Sequence, residues 1–453
     1  MSRARLAADV REGRVTPRQL VEVALRRIEA ANPTLNAVVA LRADEALAEA
    51  DSHPRTGPLA GLPLLVKDLA RTVGLRTTFG SPLYADTEPD TVDDIFVARL
   101  KAAGAIVVGK SNTPAFGHTA FTDNQVFGPT RNPWNPQRSP GGSSGGSAAA
   151  LAAGLVPLAT TSDGGGSVRI PAALCGLVGY KPTAGAIGRG AVPRWLEFSS
   201  MGCTGSTVAD VLLEAEVVLG AAPGDLMSLP RQAIDLEPRR PSHLLACRTL
   251  RAGVDEVIAA AFDDACERIA RDTGLELTIV DEATTPAAGK SWFVMATAEL
   301  AQSLADVRDR WAEFEPSLRQ MVEIGAGIET FDYLAAARTR WAECARVDAL
   351  LGDDGVLLTP TVNAVAWPPE GPMPSRAGGV DDSWVAVNTS DFNFTGHPAI
   401  NVPLGRDDSG VPFGLQLVAP RCREGLAFGI AEVWERIAPW PLVADGYEPF
   451  GAV

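Results

Sequence analysis

Serines set among glycines are the part of this sequence best suited to chemistry. Two such clusters, Gly142-Ser143-Ser144-Gly145 and Gly164-Gly-Gly-Ser167, lie twenty-four residues apart in the 453-residue chain. Glycine tolerates a positive φ and lets another molecule approach the backbone closely. A serine hydroxyl becomes a nucleophile when a neighbouring group takes its proton. A phosphate-binding loop and a serine nucleophile are therefore the two kinds of site to compare.

The phosphate-binding alternative lacks its pattern. A phosphate loop of the GxxxxGK[ST] type needs a lysine directly after its glycines, and neither cluster has one. The GxGxxG pattern that follows a strand in dinucleotide-binding folds is absent as well. The sequence disfavours nucleotide binding at these glycines.

A histidine base is a second alternative for activating a serine. The GxSxG pattern of α/β-hydrolases is missing from both clusters. His118 and His397 remain as bases that a sequence cannot place in space. A single histidine is more often a structural hydrogen-bonding residue than a catalytic base.

A neutral lysine is the third way to activate a serine. The amine of lysine titrates near 10.4 in water, so burial must lower its pKa by several units before it acts as a base near pH 7. Lys67 follows four apolar residues at the end of a predicted buried strand, Leu62-Pro-Leu-Leu-Val66. Two interpretations stay open: a buried base, or a strand-end lysine that reaches water or pairs with Asp68.

Apolar periodicity predicts how these residues are positioned. A capping box at Thr16 begins a helix that Asn32-Pro33 ends. Further on, short apolar runs alternate with helical patterns, which predicts an α/β fold with a large sheet covered by helices on both faces. Two long amphipathic helices are predicted over Trp292–Ile324 and Thr330–Leu351. Long Pro- and Gly-rich connections are predicted at 220–241 and 361–382, and the second could equally be a lid or a solvated connector.

Composition and charge exclude several classes of protein. Forty basic against fifty-five acidic residues give a net charge of −15, which disfavours a nucleic-acid or anionic-membrane surface. The first residues lack the apolar core of a secretory signal, and no apolar stretch is long enough to span a bilayer. The six cysteines are scattered and the four histidines form no zinc pattern. We expect a cytoplasmic protein with free thiols.

The block from Pro140 to Thr183 resembles the glycine- and serine-rich signature of the amidase signature hydrolases. Other segments resemble the same family in the same order along nearly the whole chain, namely Arg14–Ala37, Gly61-Leu-Pro-Leu-Leu-Val-Lys67-Asp68, Phe127-Gly128 with Asn132-Pro133-Trp134, and Asn393–Pro403. This resemblance implies the family's α/β fold, one large mixed β-sheet with helices on both faces. It also implies one domain, 1–453, with N-terminal helices (1–60), a catalytic core (61–220) and a C-terminal helical and substrate-side region (221–453).

Carried over position by position, the resemblance implies a Ser-cisSer-Lys triad. Ser167 matches the nucleophile, Ser143 the bridging serine that follows a cis peptide bond, and Lys67 the base. The backbone amides of Gly164, Gly165, Gly166 and Ser167 match the oxyanion hole. No metal or organic cofactor is implied. Ser144 and Ser147 are expected to be packing or capping residues.

Two features near the nucleophile are particular to this chain. Members of the family often have Thr, Ile or Val where this chain has Gly164, so its turn is expected to be looser or to leave more room beside the acyl site. Asp163 and Arg169 flank the turn, and we expect them to form an ion pair that holds it.

The expected function is hydrolysis of the C–N bond of a small neutral amide, with anilides and aryl carbamates (urethanes) as further substrates and esters as a side activity. The alternatives are a glutamine amidotransferase component of the A type, which needs partner subunits, and a non-catalytic binding protein on the same fold. Six of the tryptophans outside the signature block are compatible with an aromatic pocket, although aromatic residues at helical spacing more often belong to the core. These six are at positions 195, 292, 311, 341, 367 and 384. A homodimer is compatible with the sequence, but nothing in it marks an interface.

Overall fold

The computed structural model describes residues 1–190, 198–248, 250, 253–365, 367–373 and 387–451. Its strands, in chain order, are β1 Val38–Leu41, β2 Pro63–Lys67, β3 Ile106–Ser111, β4 Leu158–Ala159, β5 Thr161–Asp163, β6 Val178–Lys181, β7 Ser200–Gly205, β8 His243–Ala246, β9 Leu277–Ile279, β10 Gly355–Pro360, β11 Ala399–Arg406 and β12 Pro412–Val418. Its α-helices are α1 Arg3–Arg11, α2 Pro17–Leu35, α3 Ala43–Asp51, α4 Ile95–Ala102, α5 Gly145–Ala152, α6 Arg169–Cys175, α7 Val208–Val218, α8 Glu256–Thr273, α9 Pro286–Ser303, α10 Pro316–Ala326, α11 Thr330–Leu351, α12 Val387–Phe394 and α13 Glu424–Ile437.

The strands form two sheets that meet at a single residue. One sheet has the order β1-β3-β2-β4 and the other the order β5-β7-β6-β11-β12-β10-β8-β9, both with parallel and antiparallel pairs. Only Thr160 separates β4 from β5, so the two sheets continue into one another. A buried apolar cluster runs from Leu6 in α1 to Phe450 near the other end of the chain. The predicted large mixed sheet flanked by helices is confirmed.

The strand β2 carries the first candidate residue into the interior. It lies between β3 and β4, and all five of its residues are buried. A strand with neighbours on both sides and helices over both faces is apolar throughout, which explains the continuous run Leu62–Val66. Lys67 is the last residue of β2, so it lies at the carboxyl end of this strand, and its side chain is still buried there.

The helix α5 begins directly after the first serine cluster and is buried along its whole length. Its small side chains allow this close packing: a Cβ on Gly146 would come within 2.4 Å of the backbone nitrogen of Asn112. Any larger residue at this position would push the helix away from the neighbouring loop. The Gly- and Ala-rich composition of the signature block thus serves packing as well as chemistry.

Two predicted helix boundaries were wrong. The first predicted long helix, Trp292–Ile324, is broken: α9 ends at Ser303, a 3-10 segment follows over Ala305–Glu313, and α10 begins at Pro316. Proline fixes φ and has no N–H to donate, so it favours the first turn of a new helix over the interior of an old one. The helix α2, predicted to stop at Asn32-Pro33, continues to Leu35, where the left-handed Asn36 ends it.

Some predictions fall on residues outside the described part of the chain. Trp195 and Trp384 lie there, as do positions 366 and 374–382 of the predicted connection 361–382. No described helix is both long enough and apolar enough to cross a membrane.

Candidate active site

The ammonium group of Lys67 lies among three serine hydroxyls. Its Nζ donates to the Oγ atoms of Ser143 at 2.8 Å and Ser144 at 2.8 Å, and lies 3.1 Å from Ser162 Oγ. The lysine is 1% exposed. The backbone N–H of Lys67 donates to the hydroxyl of Thr160, the residue at which the two sheets meet, at 2.8 Å. The amine is thereby held at a fixed point beside the first serine cluster.

Burial changes the protonation of this lysine. Desolvation lowers the pKa of Lys67 to about 7, although the nearby negative charge of Asp163 acts in the opposite direction. An amine with this pKa is neutral in about half of the molecules at pH 7, so it can accept a proton there. The alternative of a pair with Asp68 does not hold, because that carboxylate faces Thr78 and Lys110 instead.

Ser143 follows a cis peptide bond with Gly142. The glycine is needed here, because a Cβ at position 142 would lie within 2.6 Å of the carbonyl oxygen of Phe121. On the other side of the serine, a Cβ on Gly117 would come 3.2 Å from Ser143 Oγ. The hydroxyl of Ser143 thus lies between the backbone at Gly117 and the amine of Lys67.

Ser167 lies just before helix α6 and is 8% exposed. Among the described residues its hydroxyl has no hydrogen-bond partner, so the structure does not link it to Ser143. The structure therefore joins Lys67 to Ser143 by a hydrogen bond and leaves the hydroxyl of Ser167 unengaged. Hydrogen bonds between catalytic groups are often long without substrate and shorten in the reacting complex.

A buried ion pair holds the loop that carries Ser167. Both nitrogens at one edge of the Arg169 guanidinium donate to the Asp163 carboxylate, at 3.0 Å and 2.9 Å, as the sequence predicted. Burial alone would raise the pKa of Asp163, but the charge and hydrogen bonds of Arg169, with help from Lys181 and Asn393, outweigh it and lower the pKa to about 2. The carboxylate is therefore charged at all physiological pH values and can fix the turn.

The four amides predicted as an oxyanion hole are not equivalent. The N–H of Gly166 donates to Asp163 Oδ1 at 2.6 Å and so points at a carboxylate. An amide held by a negative charge is a poor donor to a second anion, because its one hydrogen is already used. Of the four predicted donors, the Gly166 amide is therefore engaged by Asp163, and the role of the amides of Gly164, Gly165 and Ser167 stays a prediction.

The histidines lie elsewhere. His118 contacts the carbonyl of Ala115 through Nδ1 and the hydroxyl of Ser317 through Nε2. His397 contacts Thr395 and Asp348. Neither ring hydrogen-bonds to a serine of the two clusters, so a Ser-His arrangement is not formed by the described residues.

Sequence reasoning missed four residues that contact the site. Ser144 was expected to be a packing residue, and Ser162, Trp292 and Thr389 were not assigned to the site. The adjacency of Ser144 to Ser143 and the position of Ser162 in the strand leading to the second cluster were available signals. Trp292 and Thr389 hydrogen-bond to backbone carbonyls more than 120 residues away, at Gly164 and Gly165, and contacts of this kind leave no pattern in a sequence.

A cavity of about 560 Å³ opens onto Lys67 and Ser143. Much of its wall is apolar and consists of Leu69, Phe79, Phe96, Phe116 and Met201. The rings of Phe79 and Phe116 are stacked with their centroids 5.9 Å apart. A volume of this size suits a small organic ligand.

The charged residues at this cavity have charged neighbours of opposite sign. Arg71 pairs with Asp94 at 3.1 Å, and Arg189 lies 3.8 Å from Asp225. In the described residues no group of three or more His, Cys, Asp or Glu side chains could hold a metal ion. The cavity therefore offers an apolar wall, hydroxyls and a lysine, with its other charges balanced.

Comparison with known proteins identifies the family. The family model described as Amidase matches residues 19–427. An acylamidase of Rhodococcus erythropolis is 31% identical over 97% of this chain and 96% of its own, and the A-type component of a glutamyl-tRNA(Gln) amidotransferase of Thermus thermophilus is 36% identical over 92% of each. The crystal structure of a bacterial aryl acylamidase of the amidase signature family superposes with a TM-score of 0.87, at 28% identity over 97% of this chain and 96% of that one. The chain belongs to the amidase signature family of amidohydrolases.

Proposed function

We propose that this protein hydrolyses the C–N bond of small neutral amides through an acyl-enzyme on Ser167. The observation that carries the proposal is the buried Lys67, whose amine has a pKa of about 7 and donates to Ser143 at 2.8 Å. A base with this pKa is suited to remove a serine proton near neutral pH. The position of Ser167 at the end of the glycine run, just before α6, supports its role as the group that attacks.

The reaction then runs by proton transfer along the three residues. Neutral Lys67 takes the proton of Ser143 while Ser143 takes that of Ser167, and Ser167 Oγ bonds to the carbonyl carbon. The same path returns the proton to the leaving nitrogen as the C–N bond breaks. Water next attacks the acyl carbon and gives up a proton to Lys67 through Ser143. The bond between the acyl carbon and Ser167 Oγ then breaks, the proton returns from Lys67 through Ser143 to Ser167, and the carboxylic acid leaves. The cycle consumes one water and restores all three side chains.

Backbone amides stabilise the oxyanion in this scheme. Because Asp163 already takes the N–H of Gly166, we assign the developing charge to the amides of Gly164, Gly165 and Ser167. The loss of one such donor reduces the rate by roughly 10²- to 10³-fold in enzymes that use them.

The lining of the cavity supports an uncharged, aryl-bearing substrate. Phe79 and Phe116 provide an aromatic wall beside Ser143, and the nearby arginines already have acidic neighbours. A charged substrate would lose its hydration without gaining an unbalanced counter-charge. Anilides and aryl carbamates fit this chemistry, and esters of similar shape should react by the same acyl attack. Among the relatives named above, one is called an acylamidase and one an aryl acylamidase, and these names support amides, including aryl amides, as substrates.

One specific observation favours a second candidate function. The relative from Thermus thermophilus, at 36% identity, is one component of an amidotransferase. A chain with that function would release ammonia from glutamine only with its partner subunits. The net charge of −15 weighs against direct contact with tRNA.

A substrate panel separates these functions. Amine release is measured from acetanilide, a phenyl carbamate, benzamide, a fatty amide and glutamine, with the parent and with Ser167→Ala. We expect turnover of the anilide or carbamate by the parent and none by the variant. Turnover of glutamine alone would favour the amidotransferase function, equal turnover by both proteins would overturn Ser167 as nucleophile, and inactivity toward every member would favour a partner-dependent or binding role.

We also propose a cytoplasmic location. All six cysteines are free thiols, four of them buried, as expected for a chain kept in a reducing compartment.

A further inference from the structure

We call residues 163–168, which carry Ser167, the nucleophile loop. Three consecutive backbone carbonyls of this loop accept hydrogen bonds from side chains in the second half of the chain. Asn393 Nδ2 donates to Asp163 O at 2.9 Å, Trp292 Nε1 to Gly164 O at 3.1 Å, and Thr389 Oγ1 to Gly165 O at 2.7 Å. Trp292 lies on α9, and the other two lie on α12. Each hydrogen bond thus fixes one peptide group of the loop from outside.

The loop needs such external support because it cannot orient itself. Residues 164–166 are all glycine, and Gly166 has a φ of +128°. Glycine restricts its own backbone less than any other residue, so each peptide group could rotate among several orientations. An oxyanion hole works only when its donors are oriented before the reaction begins.

A held carbonyl also sets the direction of the next N–H. The peptide bonds of this loop are trans, and the C=O and N–H of a trans peptide point in opposite directions. The peptide group between Gly165 and Gly166 shows this relation. Its carbonyl accepts from Thr389, and its N–H, which points the opposite way, donates to Asp163. In the same way, the bond from Trp292 to the Gly164 carbonyl sets the direction of the Gly165 N–H.

Trp292 is closely fitted to this peptide. A Cβ on Gly165 would lie 2.7 Å from Cζ2 of the indole, so only glycine lets the ring approach this far. The indole also packs against Phe198, with ring centroids 6.3 Å apart. This contact helps to hold the ring in place.

We propose that Trp292 is a positioning residue for catalysis, which orients the Gly165 amide toward the oxyanion by holding the Gly164 carbonyl. This inference rests on the proposed amide hydrolysis and deepens it. Thr389 acts on the adjacent peptide group and keeps the Gly166 amide on Asp163. The helices α9 and α12 therefore orient the donors of a site whose nucleophile and base come from the first half of the chain.

The test removes the indole N–H while it keeps a ring in place. Trp292→Phe is compared with Trp434→Phe, which also removes an indole N–H donor. The indole of Trp434 is buried, whereas that of Trp292 is half-buried, and the Trp434 indole donates at 2.8 Å to Pro403 O in β11 instead of to the loop. For an anilide or aryl ester, we expect kcat of Trp292→Phe to fall at least about tenfold while KM changes less than about threefold, because the lost interaction belongs to the transition state. Trp434→Phe should keep the parental kcat.

A second pair of variants guards against simple misfolding. Thr389→Val removes the hydroxyl at nearly constant shape, and Thr389→Ser retains it. We expect a lower kcat for the first and recovery of most of it in the second, with both proteins unfolding at similar temperatures. Parental kcat in Trp292→Phe would overturn the inference, as would a loss matched by Trp434→Phe; parental kcat in Thr389→Val would overturn the role given to Thr389. Failure of the proposed function itself is distinguishable, because the parent would then be inactive or Ser167→Ala would be as active as the parent.

Discussion

At the scale of single residues, the chemistry depends on an amine that the fold keeps out of water. Lys67 has three hydroxyl neighbours, and no carboxylate lies within salt-bridge distance of it among the described residues. Hydroxyls solvate an ammonium less well than water does, and they offset little of the desolvation cost. A lysine paired with a carboxylate would have kept its proton. The absence of such a pair is therefore what makes Lys67 usable as a base.

The rate should therefore depend on pH through Lys67. Because burial lowers the pKa of Lys67 to about 7 and the neutral amine is the active form, we expect kcat/KM for a neutral amide to rise with pH and level off above about 7. Below that value the rate should fall about tenfold per pH unit. Lys67→Met should remove this pH dependence together with most of the activity.

Lys181 provides the control for this prediction. It is also buried, and desolvation lowers its pKa to about 7, but its Nζ donates to Pro182 O and touches no serine of the site. Lys181→Met should leave the midpoint of the pH profile where it is in the parent. A midpoint that moves in Lys181→Met, or that persists in Lys67→Met, would contradict the assignment of the base.

At the scale of elements, the nucleophile loop is the point where distant segments meet. The loop connects β5, which ends at Asp163, to α6, which begins at Arg169. Asn393 of α12 binds both of these residues: its amide donates to Asp163 Oδ1, and its oxygen accepts from Arg169. Arg169 also donates to Gln416 in β12 at 2.7 Å. Every polar group in this buried network has a partner that another element provides, so the elements stabilise one another.

Truncation of Asn393 should cost stability. Asn393→Ala leaves Asp163 O and one donor of Arg169 buried without a partner, and a buried polar group that loses its partner costs about 1–3 kcal/mol. We expect the free energy of unfolding, measured by urea denaturation, to fall by about that amount. The exposed Gln302→Ala on α9 should change it by less than about 0.5 kcal/mol. Equal stability of both variants would contradict the role given to the network.

Local sequence signals predicted these elements unevenly. The apolar run ending at Lys67 predicted β2, and the capping box at Thr16 predicted the start of α2. The break between α9 and α10 was missed although Pro316 marks the start of α10, because amphipathic periodicity continues across the break. Periodicity reports which face is buried, and it does not report whether one helix or two supply that face.

At the scale of the whole molecule, the sequence offered motifs for the proposed reacting residues but none for their supports. Lys67, Ser143 and Ser167 were assigned through resemblance to family motifs that follow one another in the first 170 residues. Trp292, Thr389 and Asn393 come from far along the chain and act through hydrogen bonds to backbone. Such partners are set by tertiary packing, which local propensity cannot anticipate.

The charge of the whole chain makes a prediction about the second candidate function. A protein with a net charge of −15 should be repelled by the phosphates of tRNA. We expect no electrophoretic shift of tRNA by the isolated protein at physiological salt, and no glutamine hydrolysis. Micromolar binding of tRNA, or release of ammonia from glutamine at the rate seen with an anilide, would instead favour the amidotransferase function.

The most direct test of the central claim is to find the acyl-enzyme. The protein is mixed with an O-aryl carbamate: attack by Ser167 Oγ breaks the bond between the carbonyl carbon and the aryl oxygen, the phenol leaves, and the resulting carbamoyl-enzyme should hydrolyse slowly. The intact mass of the protein is recorded within seconds of mixing, and the modified peptide is then fragmented. We expect one carbamoyl group per chain, attached to Ser167, absent in Ser167→Ala and formed much more slowly in Lys67→Met. Two results would contradict the assignment of Ser167 as the nucleophile. One is an adduct on another residue, and the other is release of the aryl product without any adduct although turnover is slow.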